Sequence, residues 1–195
     1  MTSRLTVVKV GGGLSAAPGA LATVGRALAQ AGRHHRLLVV PGGGPFADAV
    51  RAFDRREPLS ADAAHWMAIL AMDQYAHVLA ERIPGSLLVE ESGGVNAALG
   101  EAGVAVLAPY RWLRAADVLP HSWNATSDSV AAFVAGAVDA GRLVLVKPTS
   151  AVAAPELVDP CFDSVLPAGL PVVVLGWERI GELEGVLKSG EKTER

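Results

Sequence analysis

The sequence predicts an α/β protein, a three-layer α/β/α sandwich with a mostly parallel central sheet. Three observations carry this prediction. Short, continuous apolar runs recur along the chain, among them Val7-Val8-Lys9-Val10, Leu37-Leu38-Val39-Val40, Val104-Ala105-Val106-Leu107 and Leu143-Val144-Leu145-Val146. Strands covered on both faces read this way. The runs alternate with segments whose apolar residues recur at helical spacing, which puts helices over the sheet. The first two runs end in glycine triplets, Gly11-Gly12-Gly13 and Gly42-Gly43-Gly44. Those ends belong to the sheet edge where open α/β folds bind ligands.

The elements are expected in this order. Arg4 to Val10 is a buried strand. Ser15 caps the next helix, with Pro18 in its first turn and Leu21, Val24 and Leu28 on one face; Gly32 ends it. Arg36 to Val40 is the second strand, and Pro45 opens a helix with Phe46, Ala49, Val50 and Phe53 facing the core. A longer helix starts at Pro58-Leu59-Ser60 and runs to about Arg82, with a stripe of Trp66, Ile69, Leu70, Asp73 and His77. Ser86 to Glu90, Val104 to Ala108, Arg142 to Lys147 and Pro171 to Leu175 are further strands. Val95 to Ala102 is a short helix, and Pro109 to Ser122 is irregular or briefly helical. Thr126 or Ser127 caps a helix with Val130, Phe133, Val134, Ala137 and Val138 inward, ended by Gly141. The polar stretch from Lys188 is expected to fray.

Composition bounds the function. The chain has 195 residues, 51% hydrophobic and 19% charged, enough for one domain with a substantial core. A net charge of -3 gives no electrostatic reason to expect nucleic acid. Charge is uneven, however: no acid precedes Asp48, while Arg4, Lys9, Arg26, Arg33 and Arg36 all do. That half suits anionic ligands. The single cysteine, Cys161, cannot form an internal disulfide, which fits a reducing, cytoplasmic compartment. No signal peptide is evident, and no apolar run approaches the ~20 residues of a membrane span.

Lys9 is the anomaly in the first strand. An ammonium within a β-branched run is costly unless an anion meets it. The glycines that follow let backbone N–H groups close around such an anion. Gly11-Gly12-Gly13-Leu14-Ser15-Ala16 formally matches a dinucleotide fingerprint, but that site needs an acid near the end of the second strand. A second glycine triplet stands there instead, and the P-loop pattern is absent. Two adjacent anion cradles suit two phosphate-bearing ligands, a donor and an acceptor. Phosphoryl transfer between them needs chiefly positioning and charge neutralisation.

Val8-Lys9-Val10-Gly11-Gly12 and Val40-Pro41-Gly42-Gly43-Gly44 resemble the two N-terminal motifs of the amino acid kinase superfamily. Thr126-Ser127-Asp128-Ser129 resembles the segment that opens the nucleotide half in that family, and Leu145-Val146-Lys147 the strand that carries a second lysine. The four motifs stand in order across residues 8 to 147. The resemblance implies an amino acid kinase-like fold over residues 1–195, with an acceptor-binding half at 1–120, a nucleotide-binding half at 121–187 and a tail at 188–195. It implies an ATP-dependent kinase for a small phosphorylated substrate, working as a dimer or larger homo-oligomer. Lys9 and Lys147 would neutralise the transferring group, Asp128 would hold both lysines, and Gly44 would present its N–H to the group in flight. Gly11, Gly12, Gly13, Thr126 and Ser127 fall to the ATP phosphates, and Gly42 and Gly43 to the acceptor. Mg²⁺ would come with ATP and without a direct protein ligand, Asp128 being the one side chain to weigh for it.

A narrower resemblance lies in Ala63 to Tyr75, Pro109-Tyr110-Arg111 and Leu119 to Ser129. It is to the branch that phosphorylates [5-(aminomethyl)furan-3-yl]methyl phosphate in methanofuran biosynthesis. After Lys147 the chain departs from the family, with Pro148-Thr149-Ser150 in place of Asp-Gly. A non-catalytic nucleotide- or oxyanion-binding member is therefore the alternative, as is a kinase for UMP or isopentenyl phosphate.

Four further residues are candidates for the acceptor. Arg51 lies two turns beyond Gly44, within reach of an acceptor phosphate or simply on the surface. Arg111 follows a strand in a loop, where binding residues concentrate. His65 and Asp73 are eight apart on one helix and near one face. Asp73 would meet an aminomethyl cation or an arginine across a subunit interface.

Overall fold

In the computed structural model, residues 4–149 and 158–189 are described. Six strands form one all-parallel sheet: β1 (Thr6–Val10), β2 (Leu37–Pro41), β3 (Leu87–Val89), β4 (Val104–Leu107), β5 (Arg142–Lys147) and β6 (Val172–Gly176), in the order β3-β4-β2-β1-β5-β6. Among the described residues, eight helices accompany it: α1 (Ala20–Ala31), α2 (Gly44–Arg56), α3 (Ala61–Arg82), α4 (Ser92–Ala102), α5 (Tyr110–Ala116), α6 (Ser127–Ala137), α7 (Phe162–Val165) and α8 (Leu183–Ser189). The chain leaves β1 toward β2 and returns on its other side to β5, so β1 is the topological switch point. Clefts in open parallel sheets form there.

Two core clusters lie on opposite faces. Val7, Leu38, Val40, Leu143 and Leu145 pack with residues of α4, α5 and α6. Val8, Val10, Leu37, Val39, Val144 and Val146 pack with residues of α1 and α8. The parity of a strand produces this division, since successive side chains point to opposite faces. Helix α3 serves both clusters, giving Ile69 and Met72 to one and Tyr75, Ala76 and Leu79 to the other. No helix among the described residues is long and apolar enough to cross a membrane.

Several expectations need correction. Ser15 does not cap α1; it lies in a 3-10 turn, Gly12–Ala16, and donates to the Gly12 carbonyl at 2.9 Å. Gly19, at φ 78°, occupies the N-cap, and Pro18 precedes it. Only a residue without Cβ takes that left-handed turn at no cost. In α2, Ala49 is exposed and Phe53 is 40% exposed, although both were expected in the core. The inward face of α2 is instead Gly44, Ala47, Arg51 and Asp54, at helical spacing, and it borders a cavity. That face carries Arg51 and Asp54 among small residues, so the apolar stripe picks the wrong side of the helix. In α3, Leu70 and His77 are exposed, because burial into two clusters rotates the buried face toward Met72 and Tyr75.

Helix α6 ends at Ala137, which is exposed, not at Gly141; Asp139 makes the left-handed turn at φ 48°. Beyond β6 the chain forms a 3-10 turn, Trp177–Glu182, and then α8. Lys188 belongs to α8 and pairs with Glu184 at 2.9 Å. Burial of Leu183 and Leu187 anchors this short helix, each such side chain contributing about 1.5–3 kcal/mol. The rest of the expected tail, 190–195, lies outside the described residues.

Candidate active site

The site begins with strand parity. Lys9 on β1 is in register with Leu145 on β5. Lys147 lies two residues beyond Leu145, so both lysines project from the same face of neighbouring strands. Helix α6 covers that face and brings Asp128, in its first turn, between them. Lys9 Nζ lies 2.9 Å from Asp128 Oδ1 and Lys147 Nζ 2.7 Å from Oδ2. All three are buried, at 5%, 9% and 5% exposure for Lys9, Lys147 and Asp128. Burial pushes the Asp128 carboxyl up, but the two ammonium groups outweigh it and hold the group below the usual carboxylate range. Burial, with the charge of Lys9, pulls Lys147 down, and Asp128 only partly restores it. A cluster of two cations and one anion in a low-dielectric setting favours a further anion.

The glycine triplets meet directly. A Cβ on Gly12 would stand 2.3 Å from the Gly44 nitrogen and 2.7 Å from its Cα. A Cβ on Gly42 would stand 2.3 Å from the Gly12 nitrogen. The two loops therefore touch backbone to backbone, an approach that any side chain forbids. Gly44 has φ 56° and packs under the Tyr75 ring, and Gly13 packs under Pro148. Their ends are tied to the sheet: Gly11 N–H donates to the Val146 carbonyl at 2.9 Å and Gly42 N–H to that of Val10 at 2.8 Å.

A cavity of about 540 Å³ opens beside this joint. One end is lined by Gly12, Gly13, Gly43, Gly44, Thr126 and Ser127, the other by α2, α3 and the segment that carries His121 and Trp123. Trp123 is held as a wall. Its Nε1–H donates to Asp54 Oδ2 at 2.8 Å, and the Leu59 N–H donates to Oδ1 at 2.9 Å. Those hydrogen bonds, Leu59 first, hold Asp54 below the usual carboxylate range. The Arg51 guanidinium lies over the Trp123 ring, 4.7 Å from its centre.

His121 closes the far side. Its Nδ1 is 2.6 Å from Asp62 and its Nε2 2.9 Å from Asp117, and both hydrogen bonds push the imidazole pKa up. His65 stacks on it at 4.2 Å, and its own pKa is pulled down by burial and by His121. The stability that His121 contributes is therefore full below its unfolded value, near pH 6.5, and lost as pH rises through the raised folded value. The gap in melting temperature between wild type and His121→Gln is expected to be widest below about pH 6.5 and to close in mildly alkaline buffer. A gap constant from acid to alkaline pH contradicts this.

A profile of the amino acid kinase family matches residues 4–157. The chain belongs to the amino acid kinase family. Among its relatives is the [5-(aminomethyl)furan-3-yl]methyl phosphate kinase of Methanocaldococcus jannaschii, 28% identical over 139 residues. That match takes in 71% of this chain and 63% of the relative, so the chain spans less than two thirds of the relative's length. Two solved structures share the fold. The uridylate kinase of Archaeoglobus fulgidus matches at a TM-score of 0.64 and 14% identity, over 97% of this chain and 96% of that one. The UMP kinase of Bacillus anthracis matches at 0.65 and 12%, over 97% and 93%.

Within this amino acid kinase family member, the structure ties Lys9, Asp128 and Lys147 into one buried cluster, brings Gly12, Gly42 and Gly44 together, and sets Gly12, Gly13, Gly43, Gly44, Ser127, Arg51 and His65 on the cavity wall, which Lys9, Asp128, Lys147, Gly11 and Gly42 do not line. It separates others. Asp73 Oδ1 accepts from the Tyr110 N–H at 2.9 Å, capping α5, and does not line the cavity. Arg111 pairs with Glu90 at 3.0 Å and Glu91 at 3.5 Å and is also outside it. Thr126 lines the cavity, but its N–H and hydroxyl both donate to Asp159, at 2.9 and 2.8 Å, so neither is available to a phosphate. Sequence reasoning missed Asp54, His121, Trp123 and Asp159. Asp54 was within reach, since it continues the spacing of Gly44, Ala47 and Arg51. Asp159 carries no local signal.

Proposed function

We propose that the chain is an ATP-dependent kinase for a phosphate monoester, with [5-(aminomethyl)furan-3-yl]methyl phosphate as its acceptor. The observation that carries the reading is Asp128 clamped between Lys9 and Lys147 beside the joint of two glycine loops. In this reading an acceptor phosphate oxygen attacks the γ-phosphorus of ATP. A new P–O bond forms, the bond to the β–γ bridging oxygen breaks, and ADP leaves. The attacking oxygen is already ionised near pH 7, so no general base is needed. Lys9 and Lys147 offset the charge on the transferring group, and the Gly44 N–H points into its path. Gly11, Gly12, Gly13 and Ser127 face the ATP phosphates. Gly42, Gly43 and Arg51 face the acceptor phosphate, and His65 and Trp123 its ring. Both Asp128 oxygens meet ammonium groups, so Asp128 does not fit a direct Mg²⁺ ligand; Mg²⁺ enters on ATP.

The relative's substrate supports the acceptor choice, and the flat Trp123 wall suits a small aromatic ring. Exposed Met67 and Leu70 on α3 support self-association. ADP release is to be measured with the aminomethylfuran phosphate, UMP, isopentenyl phosphate and acetylglutamate. The furan phosphate is expected to give the highest kcat/KM. Absence of ADP release with all four overturns the kinase reading, and a clear preference for another acceptor overturns the substrate.

A further inference from the structure

The carboxylate of Asp159 lies in none of the roles above, yet it accepts five hydrogen bonds beside the site. It is 8% exposed, and among the described residues no cation hydrogen-bonds to it. Its Oδ2 accepts from the Thr126 N–H at 2.9 Å, the Thr126 hydroxyl at 2.8 Å and the Ser129 N–H at 3.0 Å. Its Oδ1 accepts from the Ser129 hydroxyl and from the Cys161 N–H at 3.1 Å. A buried carboxylate that accepts several donors at a helix N-terminus holds those donors firmly, because both charge and dipole favour it.

Thr126 and Ser129 flank Asp128 in the first turn of α6. The ordinary cap of this helix, Asp128 N–H to Thr126 Oγ1, is long at 3.5 Å. It does not by itself fix where Asp128 points. Asp159 does so from outside the helix, gripping the residues on either side. It comes from the chain that returns after β5, so it also joins that segment to α6.

We propose that Asp159 is a positioning residue, gripping the first turn of α6 so that Asp128 meets Lys9 and Lys147 at once. Its effect on turnover rests on the kinase reading; its effect on the lysines does not. Released from Asp159, the turn frays and Asp128 no longer bridges the two strands. The lysines then repel one another across the site.

Two measurements test this on the full-length chain. The first is ¹⁵N NMR of lysine ammonium groups, with Lys9 and Lys147 assigned through Lys9→Arg and Lys147→Arg. Buried, paired ammonium groups exchange slowly enough to be seen. Both signals are expected in the wild type and are expected to vanish in Asp159→Asn. Ser129→Ala, which removes one hydroxyl contact and leaves the charge, is expected to weaken both; it serves if Asp159→Asn does not fold. Unchanged signals in Asp159→Asn, or in Ser129→Ala where it stands in, overturn the proposal. The second is a double-mutant cycle on kcat. Asp159→Asn is expected to lower kcat about 10- to 100-fold in the wild type but under about threefold in Asp128→Asn, with KM for ATP and acceptor nearly unmoved. An equal loss in both backgrounds overturns it, since that is the mark of a general packing defect. If the wild type turns over no acceptor, the kinase reading fails alone and the ammonium spectra decide the proposal.

Discussion

Lys9→Ala is expected to lower kcat about 100- to 1000-fold, the usual cost of removing one group aimed at transition-state charge. The fold should survive. Asp128 keeps Lys147 as a partner at 2.7 Å, so no buried carboxylate is left alone, and complete loss of its partners would cost about 3–5 kcal/mol. On the proposed reading, the substitution removes one of two cations from a site that neutralises phosphoryl oxygens. Because that need grows as the bond to ADP breaks, kcat should fall much more than KM rises. Steady-state ADP release together with a melting curve checks this. Full activity, or a loss accounted for by unfolding, contradicts the assignment. Lys9→Arg is also expected to be poor, since a planar guanidinium does not fit a space shaped for a point charge beside Asp128.

The second large effect concerns backbone. Gly12→Ala is expected to destabilise the chain by about 1–3 kcal/mol or more through overpacking and to reduce kcat/KM about 100-fold, because small misplacements of reacting groups are that costly. The new Cβ would lie 2.3 Å from the Gly44 nitrogen, and no side-chain rotation relieves a clash between main chains. Gly100→Ala is the control. It lies within α4 with nothing within 4 Å of its added Cβ, and exchange of a helical glycine for alanine stabilises by about 0.5–1 kcal/mol. Melting temperature and ADP release for the pair decide the matter. A Gly12→Ala protein as stable and as active as Gly100→Ala would falsify the close contact between the loops.

The two lysines and the sheet are legible in the sequence because strand parity is a local rule. Lys9 breaks an apolar run at one position, and its face follows from counting by twos. Asp128 is legible as well, since Thr126 and the apolar run after it mark a helix start. Elements that depend on distant partners are not legible. Nothing near Asp73 says that its carboxylate will cap α5, nor near Thr126 that Asp159 will take both of its donors. Helix α2 misleads for another reason: hydrophobic spacing finds the side that faces a core, and α2 turns its working side toward a cavity. Arg111 and Asp73, acceptor candidates drawn from a loop and a stripe, stand outside the cavity in contacts with Glu90, Glu91 and Tyr110 that no local signal announces.

The contact between Gly12 and Gly44 has a consequence for how such a site is altered. Both loops are pinned to neighbouring strands and abut through atoms that every amino acid shares. On the proposed reading, the span between donor and acceptor anions thus has the character of a fixed gauge, cut from main chain and indifferent to side-chain choice. The walls proposed to meet the acceptor's organic part come from elsewhere, from α2, α3 and the stretch bearing Trp123. Exchange of Trp123, His65 or Arg51 is then expected to refit the chamber to a different head group while the gauge stays set.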